Sequence, residues 1–214
     1  MTTIEIISDP ICPWCYIGKT RFERALAQRP EHGLDISWKP FQLNPNMPPE
    51  GMDRRAYLER KFGGKDAAVQ VYGDIQKAAE GDGLDVALDK ITRTPNTINA
   101  HRLIHWAGIE GVQNEAVAAL FIANFKEGKD ISDPALLADI AESVGMDRTA
   151  TQRLLASDAE INETRAADEK AREMGVSGVP TFLIDGQYVV TGARETAFWV
   201  DLIDEINQIK AATA

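Results

Sequence analysis

The sequence predicts an α/β fold in which a mixed sheet carries helices on both faces and is split by an all-helical inserted domain. Residues 1–43 read strand, helix, strand. Residues 44–174 are rich in Ala, Leu, Glu, Lys and Arg, with apolar residues three and four apart. Residues 175–214 read hairpin and helix. The order βαβ, helical insertion, ββα follows from these patterns, with 1–43 and 175–214 forming one domain around the insertion 44–174.

Thr3 to Ser8 is a short β-branched run that stops at Asp9-Pro10, where proline cannot extend a ladder. From Pro13 the spacing of Trp14, Ile17, Phe22, Ala25 and Leu26 predicts a helix ending near Arg29-Pro30, so Cys12 falls at the helix N-terminus. Leu34 to Lys39 alternates apolar and polar residues, the mark of a half-buried strand. Three prolines and a glycine between Asn44 and Met52 then interrupt sheet building.

Within the insertion, breaks are expected at Gly63-Gly64, Gly81-Asp82-Gly83, Thr94-Pro95-Asn96, Gly108, Gly128, Asp133-Pro134 and Gly145. Asp133-Pro134 supplies a capping side chain followed by proline at the first helical position. Ser157 to Arg172 reads as one long charged helix, near 157–174, closed by Gly175 and packed against the flanking domain. Thr181 to Ile184 and Tyr188 to Thr191 flank Asp185-Gly186-Gln187, a hairpin signal. Glu195 to about Lys210 has helical spacing, and Ala211 to Ala214 is expected to fray.

At 44% hydrophobic and 26% charged residues, the 214-residue chain has a globular composition. Its net charge of -10, without any basic run, repels phosphate backbones and anionic lipid and argues against nucleic-acid or membrane partners. The first residues lack a charged and apolar secretory leader, so a cytoplasmic location is expected.

The only two cysteines are Cys12 and Cys15, too close together to staple a chain of this size. Their spacing suits exchange chemistry, which needs an accessible attacking thiolate and a nearby second thiol to resolve the mixed disulfide. Unpaired amides at the helix start favour a thiolate at Cys12, and Cys15, one turn inside, is expected to be more buried. Cys12 is therefore assigned as nucleophile and Cys15 as resolver. No basic residue lies between them, so a mild oxidant is expected.

The competing reading, half of a zinc site, needs two more ligands from three histidines, with His101 and His105 sharing a helical face. No metal or resident cofactor is expected. Trp14 is expected to face substrate, while Trp38, Trp106, Trp199, Phe121, Phe125, Phe182 and Phe198 read as core. His101 reads as a structural histidine. Val179-Pro180, leading the first hairpin strand, would hold the Val179 backbone beside Cys12 for strand-like pairing with substrate.

Three segments, Ser8-Asp9-Pro10-Ile11-Cys12-Pro13-Trp14-Cys15-Tyr16-Ile17-Gly18-Lys19, Pro95-Asn96-Thr97 with Ala100-His101-Arg102-Leu103, and Gly175-Val176-Ser177-Gly178-Val179-Pro180-Thr181-Phe182, span nearly the whole chain. Through them the sequence resembles the DsbA-like branch of the thioredoxin superfamily, and within it the FrnE-like subgroup. The resemblance implies a thioredoxin-like fold split by a helical domain, a redox-active Cys12–Cys15 pair and a cis-Pro180 facing it. It implies disulfide-bearing or dithiol protein and peptide substrates, with glutathione as a co-substrate.

The chain is also similar to 2-hydroxychromene-2-carboxylate isomerases and kappa-type glutathione transferases, which engage glutathione with a single serine or cysteine. Retention of both cysteines weighs toward disulfide exchange, with glutathione-dependent isomerase or transferase chemistry as the alternative. The oligomeric state is left open, a homodimer included.

Overall fold

The computed structural model describes residues 1–213 and opens with β1 (Thr2–Ser8), α1 (Pro13–Gln28) and β2 (Leu34–Pro40). After the insertion come β5 (Thr181–Ile184), β6 (Tyr188–Thr191) and α9 (Thr196–Thr213). The strand order is β2-β1-β5-β6, with β1 parallel to β2 and antiparallel to β5, and β6 antiparallel to β5. This is the mixed sheet of a thioredoxin-like fold.

Alternation along β1 decides which helices cover which face. Ile4 and Ile6 pair with Ile184 and Phe182 and point toward α1 and α9. There Phe22, Phe182 and Trp199 pack with ring centroids 4.4 to 5.6 Å apart. Ile7, one residue on, points the other way and packs with Phe41 and with Ala171 of α8 (Ile161–Glu173). Phe182 is fully buried at the centre of the first cluster. Phe182→Ala is expected to cost about 3–5 kcal/mol of stability, as a smaller urea midpoint with little change in slope.

The insertion is built from α2 (Arg54–Phe62), α3 (Lys65–Gly81), α4 (Ile98–Ile109), α5 (Gln113–Phe121), α6 (Pro134–Ser143) and α7 (Arg148–Leu155), ending in α8. It is helical but not wholly so. Met52–Asp53 (β3) and Arg93–Thr94 (β4) form a short antiparallel ladder at its base. Gly51 makes that approach possible: its φ is +71°, and a Cβ there would lie 2.5 Å from the Thr94 carbonyl oxygen. Asp133 caps α6 through Oδ1, which accepts from Ala135 N–H, with Pro134 at the first helical position as expected.

Helix breaks depart from expectation in two places. The helix expected over Ser157 to Arg172 starts late, at Ile161, because the chain turns after α7 and passes through Glu160 in the left-handed region at φ 59°. Buried Arg102 explains the interruption: its guanidinium donates to the carbonyls of Leu154, Ser157 and Ala159, satisfying groups that a continuous helix would have paired internally. Gly108 does not end α4; the turn falls at Gly111, with φ +77°. Gly108 instead leaves room for the Gln113 side chain, whose amide would meet a Cβ at 2.9 Å.

Gln113 fills an unpaired edge. Trp38 N–H donates to its Oε1 at 2.8 Å, and its Nε2 donates back to the Trp38 carbonyl at 3.3 Å, so one side chain stands where another strand would pair with β2. Trp38, Trp106, Trp199, Phe121, Phe125 and Phe182 are buried, as core assignments require. Phe198 is the correction, at 39% exposed, stacked by its edge on Trp199 and under the Arg194 guanidinium rather than in the core. At the C-terminus the helix continues through Ala211 to Thr213 where fraying was expected, and Ala214 lies outside the described residues.

Candidate active site

The site begins where β1 ends. Asp9 carbonyl accepts from Cys12 N–H at 2.9 Å, a tight turn that places Cys12 as the N-cap of α1 with Pro13 at the first helical position. The Cys12 carbonyl accepts the first helical bonds, from Cys15 N–H at 3.0 Å and Tyr16 N–H at 3.3 Å. Asp9 itself is fully buried and anchors the turn to its surroundings. Its Oδ2 accepts from Leu43 N–H at 2.7 Å, and its Oδ1 accepts from Ile11 N–H at 3.4 Å. His101, also buried, stands with Nε2 3.7 Å from Asp9 Oδ1.

The Cys12 thiol donates to the Val179 carbonyl oxygen at 3.5 Å, so Val179 and Cys12 are brought together from positions far apart in sequence. The Val179–Pro180 peptide bond is cis. Gly18, one turn beyond Cys15, seats α1 against this loop: a Cβ at Gly18 would lie 3.0 Å from Pro180 Cγ. Gly18→Val is therefore expected to displace Pro180 and Val179 from Cys12. The rate at which Cys12 is alkylated should change, checked alongside the melting temperature; an unchanged rate at Cys12 would contradict this packing role.

Cys12 was expected to be accessible, and the structure corrects this, since it is only 4% exposed and Cys15 only 1%. Cys12 opens not to bulk solvent but to a cavity of about 240 Å³. Trp14, 37% exposed, stands at its rim. Leu43 and Val179 form part of the wall, and the helical insertion closes over it with Phe62, Val71, Tyr72 and Ile75. The thiols therefore lie between the sheet domain and the α2–α3 hairpin.

Burial pushes the Cys15 thiol well up from its ordinary range; the hydrogen bond and charge of Cys12 act in the same direction, while Ser8 and the Asp9 backbone oppose them. Cys15 is thus a protonated, shielded thiol at neutral pH. Tyr72 is also raised, first by burial, so it remains a phenol.

Two cationic side chains of the insertion line the same cavity, and sequence reading singled out neither. Arg54 and Lys61 sit in the mixed-sign run that forms α2, where nothing in spacing or composition separates them from solvated charges. His105 is half-exposed, with Nε2 3.9 Å from Glu160 Oε1, and the His32 ring nitrogen Nδ1 accepts from Leu34 N–H. Among the described residues no group of three or more His, Cys, Asp or Glu is arranged to hold a metal ion.

The architecture has known counterparts. A Bacillus subtilis protein described as uncharacterized protein YwbO is 29% identical over 191 residues, covering 89% of this chain and 90% of that protein. The crystal structure of a probable DsbA oxidoreductase, SCO1869 from Streptomyces coelicolor, superposes with a TM-score of 0.84 at 29% identity, covering 96% of this chain and 89% of that one. A 2-hydroxychromene-2-carboxylate isomerase superposes with a TM-score of 0.75 at 21% identity, covering 99% of both chains, and shares the fold. With the family model described as DSBA-like thioredoxin domain matching residues 3–204, the chain belongs to the DSBA-like thioredoxin domain family.

Proposed function

We propose that the protein is a thiol–disulfide oxidoreductase in which Cys12 attacks and Cys15 resolves. The observation that supports this most directly is the placement of Cys12 at the N-cap of α1, open to a cavity and beside the Val179 carbonyl, with Cys15 buried one turn inside. Unpaired amides and the helix dipole at that end favour negative charge on the attacking sulfur. Trp14 offers an apolar wall to substrate, and the Val179 backbone, held by Pro180, offers strand-like pairing.

In the reductive direction the Cys12 sulfur bonds to one sulfur of a substrate disulfide, and the other substrate sulfur leaves as a thiol. Cys15 then bonds to Cys12 and releases the second substrate thiol. Two electrons and two protons pass from the pair to the substrate, and an external thiol restores the reduced pair. Glutathione is read as that thiol. The reverse sequence oxidises a dithiol. Both cysteines belong to the pair and none is spent on architecture, which agrees with a reducing compartment such as the cytoplasm.

The test is dithiothreitol-driven reduction of bis(2-hydroxyethyl) disulfide and insulin by the native chain. Acceleration over dithiothreitol alone is expected, and none with either substrate would reject the reading. The small cavity over Cys12 gives the glutathione-dependent isomerase or transferase reading its one specific support. That chemistry needs no resolver, so conjugation or chromene isomerisation surviving in Cys15→Ser, with no disulfide turnover in the native chain, would establish it instead.

A further inference from the structure

We propose that the oxidised substrate of Cys12 is a low-molecular-weight disulfide bearing a carboxylate, which Arg54 and Lys61 recognise in the cavity beneath the α2–α3 hairpin. The proposal rests on the oxidoreductase reading and names its substrate class.

Charge is the first reason. The chain carries a net charge of -10, yet the cavity over Cys12 is lined by Arg54 and Lys61 and, among the described residues, by no Asp or Glu. A cationic recess with apolar walls concentrates anions against the general repulsion of the surface. A neutral or cationic disulfide gains nothing from that field.

Arg54 is the second. It is 7% exposed, its Nη1 donates to Thr94 Oγ1 at 3.2 Å, its Nη2 donates to the Tyr72 hydroxyl, and its guanidinium carbon lies 5.2 Å from the Tyr72 ring centre. Its third nitrogen, Nε, is buried with no hydrogen-bond partner among the described residues. An unsatisfied donor on a buried cation is costly, and a ligand carboxylate supplies the missing acceptor and the countercharge together. Guanidinium geometry suits a carboxylate.

Lys61, on the exposed side of the same helix, donates to the Tyr57 hydroxyl at 2.7 Å, which orients its ammonium group over the cavity wall. Tyr57 in turn donates to Asn44 Oδ1 at 3.1 Å. The second cation is thereby tied to Tyr57, a residue of the cavity wall.

Size is the third. At about 240 Å³ the cavity is smaller than the roughly 300 Å³ at which pockets for drug-sized ligands begin. Cys12 is 4% exposed beneath Phe62, Val71 and Ile75. One arm of a small disulfide reaches the sulfur here, whereas a disulfide on a folded protein surface brings flanking chain that the hairpin obstructs.

The exchange itself is the one already balanced above, with dithiothreitol supplying the two electrons per turnover. The test compares kcat/KM for four disulfides: dithiodiglycolate with two carboxylates, neutral bis(2-hydroxyethyl) disulfide, cationic cystamine, and insulin. Dithiodiglycolate is expected to exceed the neutral disulfide by roughly tenfold or more at low ionic strength, with cystamine and insulin below both. Added salt should shrink the anionic preference.

Lys61→Glu should reverse the anionic-to-cationic ratio, and Arg54→Gln should lower the anionic-to-neutral ratio. Because Lys61 is exposed, its variant decides the matter if Arg54→Gln fails to fold. Turnover of the neutral disulfide with no charge preference, a ratio unmoved by Lys61→Glu, or insulin outpacing dithiodiglycolate would overturn this proposal alone. Failure with all four disulfides would overturn the oxidoreductase reading and this proposal with it.

Discussion

Replacing Cys12 with serine is expected to return disulfide turnover to the uncatalysed rate of the dithiothreitol reaction, while Cys15→Ser accumulates a mixed disulfide. A hydroxyl at position 12 neither ionises at neutral pH nor forms an exchangeable bond to sulfur, so the first step has no nucleophile. The fold should tolerate the change, because the hydrogen bond from the Cys12 side chain to the Val179 carbonyl is one that serine can still donate. In Cys15→Ser the first step survives and the second cannot occur. With Cys12 only 4% exposed, solvent thiols reach the mixed disulfide poorly, and the substrate arm stays on Cys12. Mass spectrometry under non-reducing conditions, with dithiothreitol omitted, reads the trapped adduct directly. Equal retained activity in both variants would remove the assignment of nucleophile and resolver.

The rate at which the mixed disulfide resolves is expected to rise about tenfold per pH unit across the neutral range, because Cys15 must lose its proton to attack. Burial is the largest cause of the upward shift at Cys15, and it persists when Cys12 is tied up with substrate. Acid quenching followed by mass spectrometry, from pH 6 to 8 in steps of about one unit, measures the decay of the adduct. A pH-independent decay would contradict a shielded, protonated resolver.

The same shift has a stability consequence of definite sign. The folded state keeps the Cys15 proton at pH values where the unfolded chain, titrating near about 8.5, has lost it. Its contribution is present in full below that pH and declines as pH rises toward the folded value, by up to about 1.4 kcal/mol per pH unit. Urea midpoints of the reduced protein should therefore fall above about pH 8.5, less steeply in Cys15→Ala.

Local pattern was enough for most elements of the sheet domain. The β-branched run after Thr2, the proline pair Pro10 and Pro13, and the Asp185-Gly186-Gln187 turn act within a few residues of themselves, and strands and helices appeared where they direct. Gly108 and the stretch after Ser157 misled because the deciding partners are remote. Gln113 fills the space that Gly108 leaves, and Arg102, from another helix, satisfies the carbonyls that end α7. Phe198 was misplaced for a related reason: adjacent residues on α9 share an apolar stripe, but only Trp199 meets Phe22 and Phe182.

Spacing and backbone chemistry are local, so the fold class, the helix start at Cys12 and the position of Cys15 one turn inside that helix were legible along the chain. Only the tertiary structure decided how that pair is reached. The α2–α3 hairpin closes over Cys12, Val179 arrives from the far end of the chain, and Arg54 and Lys61 turn an acidic protein cationic at one cavity. Burial and electrostatic environment belong to groups brought together by packing, and no periodicity along the chain encodes them.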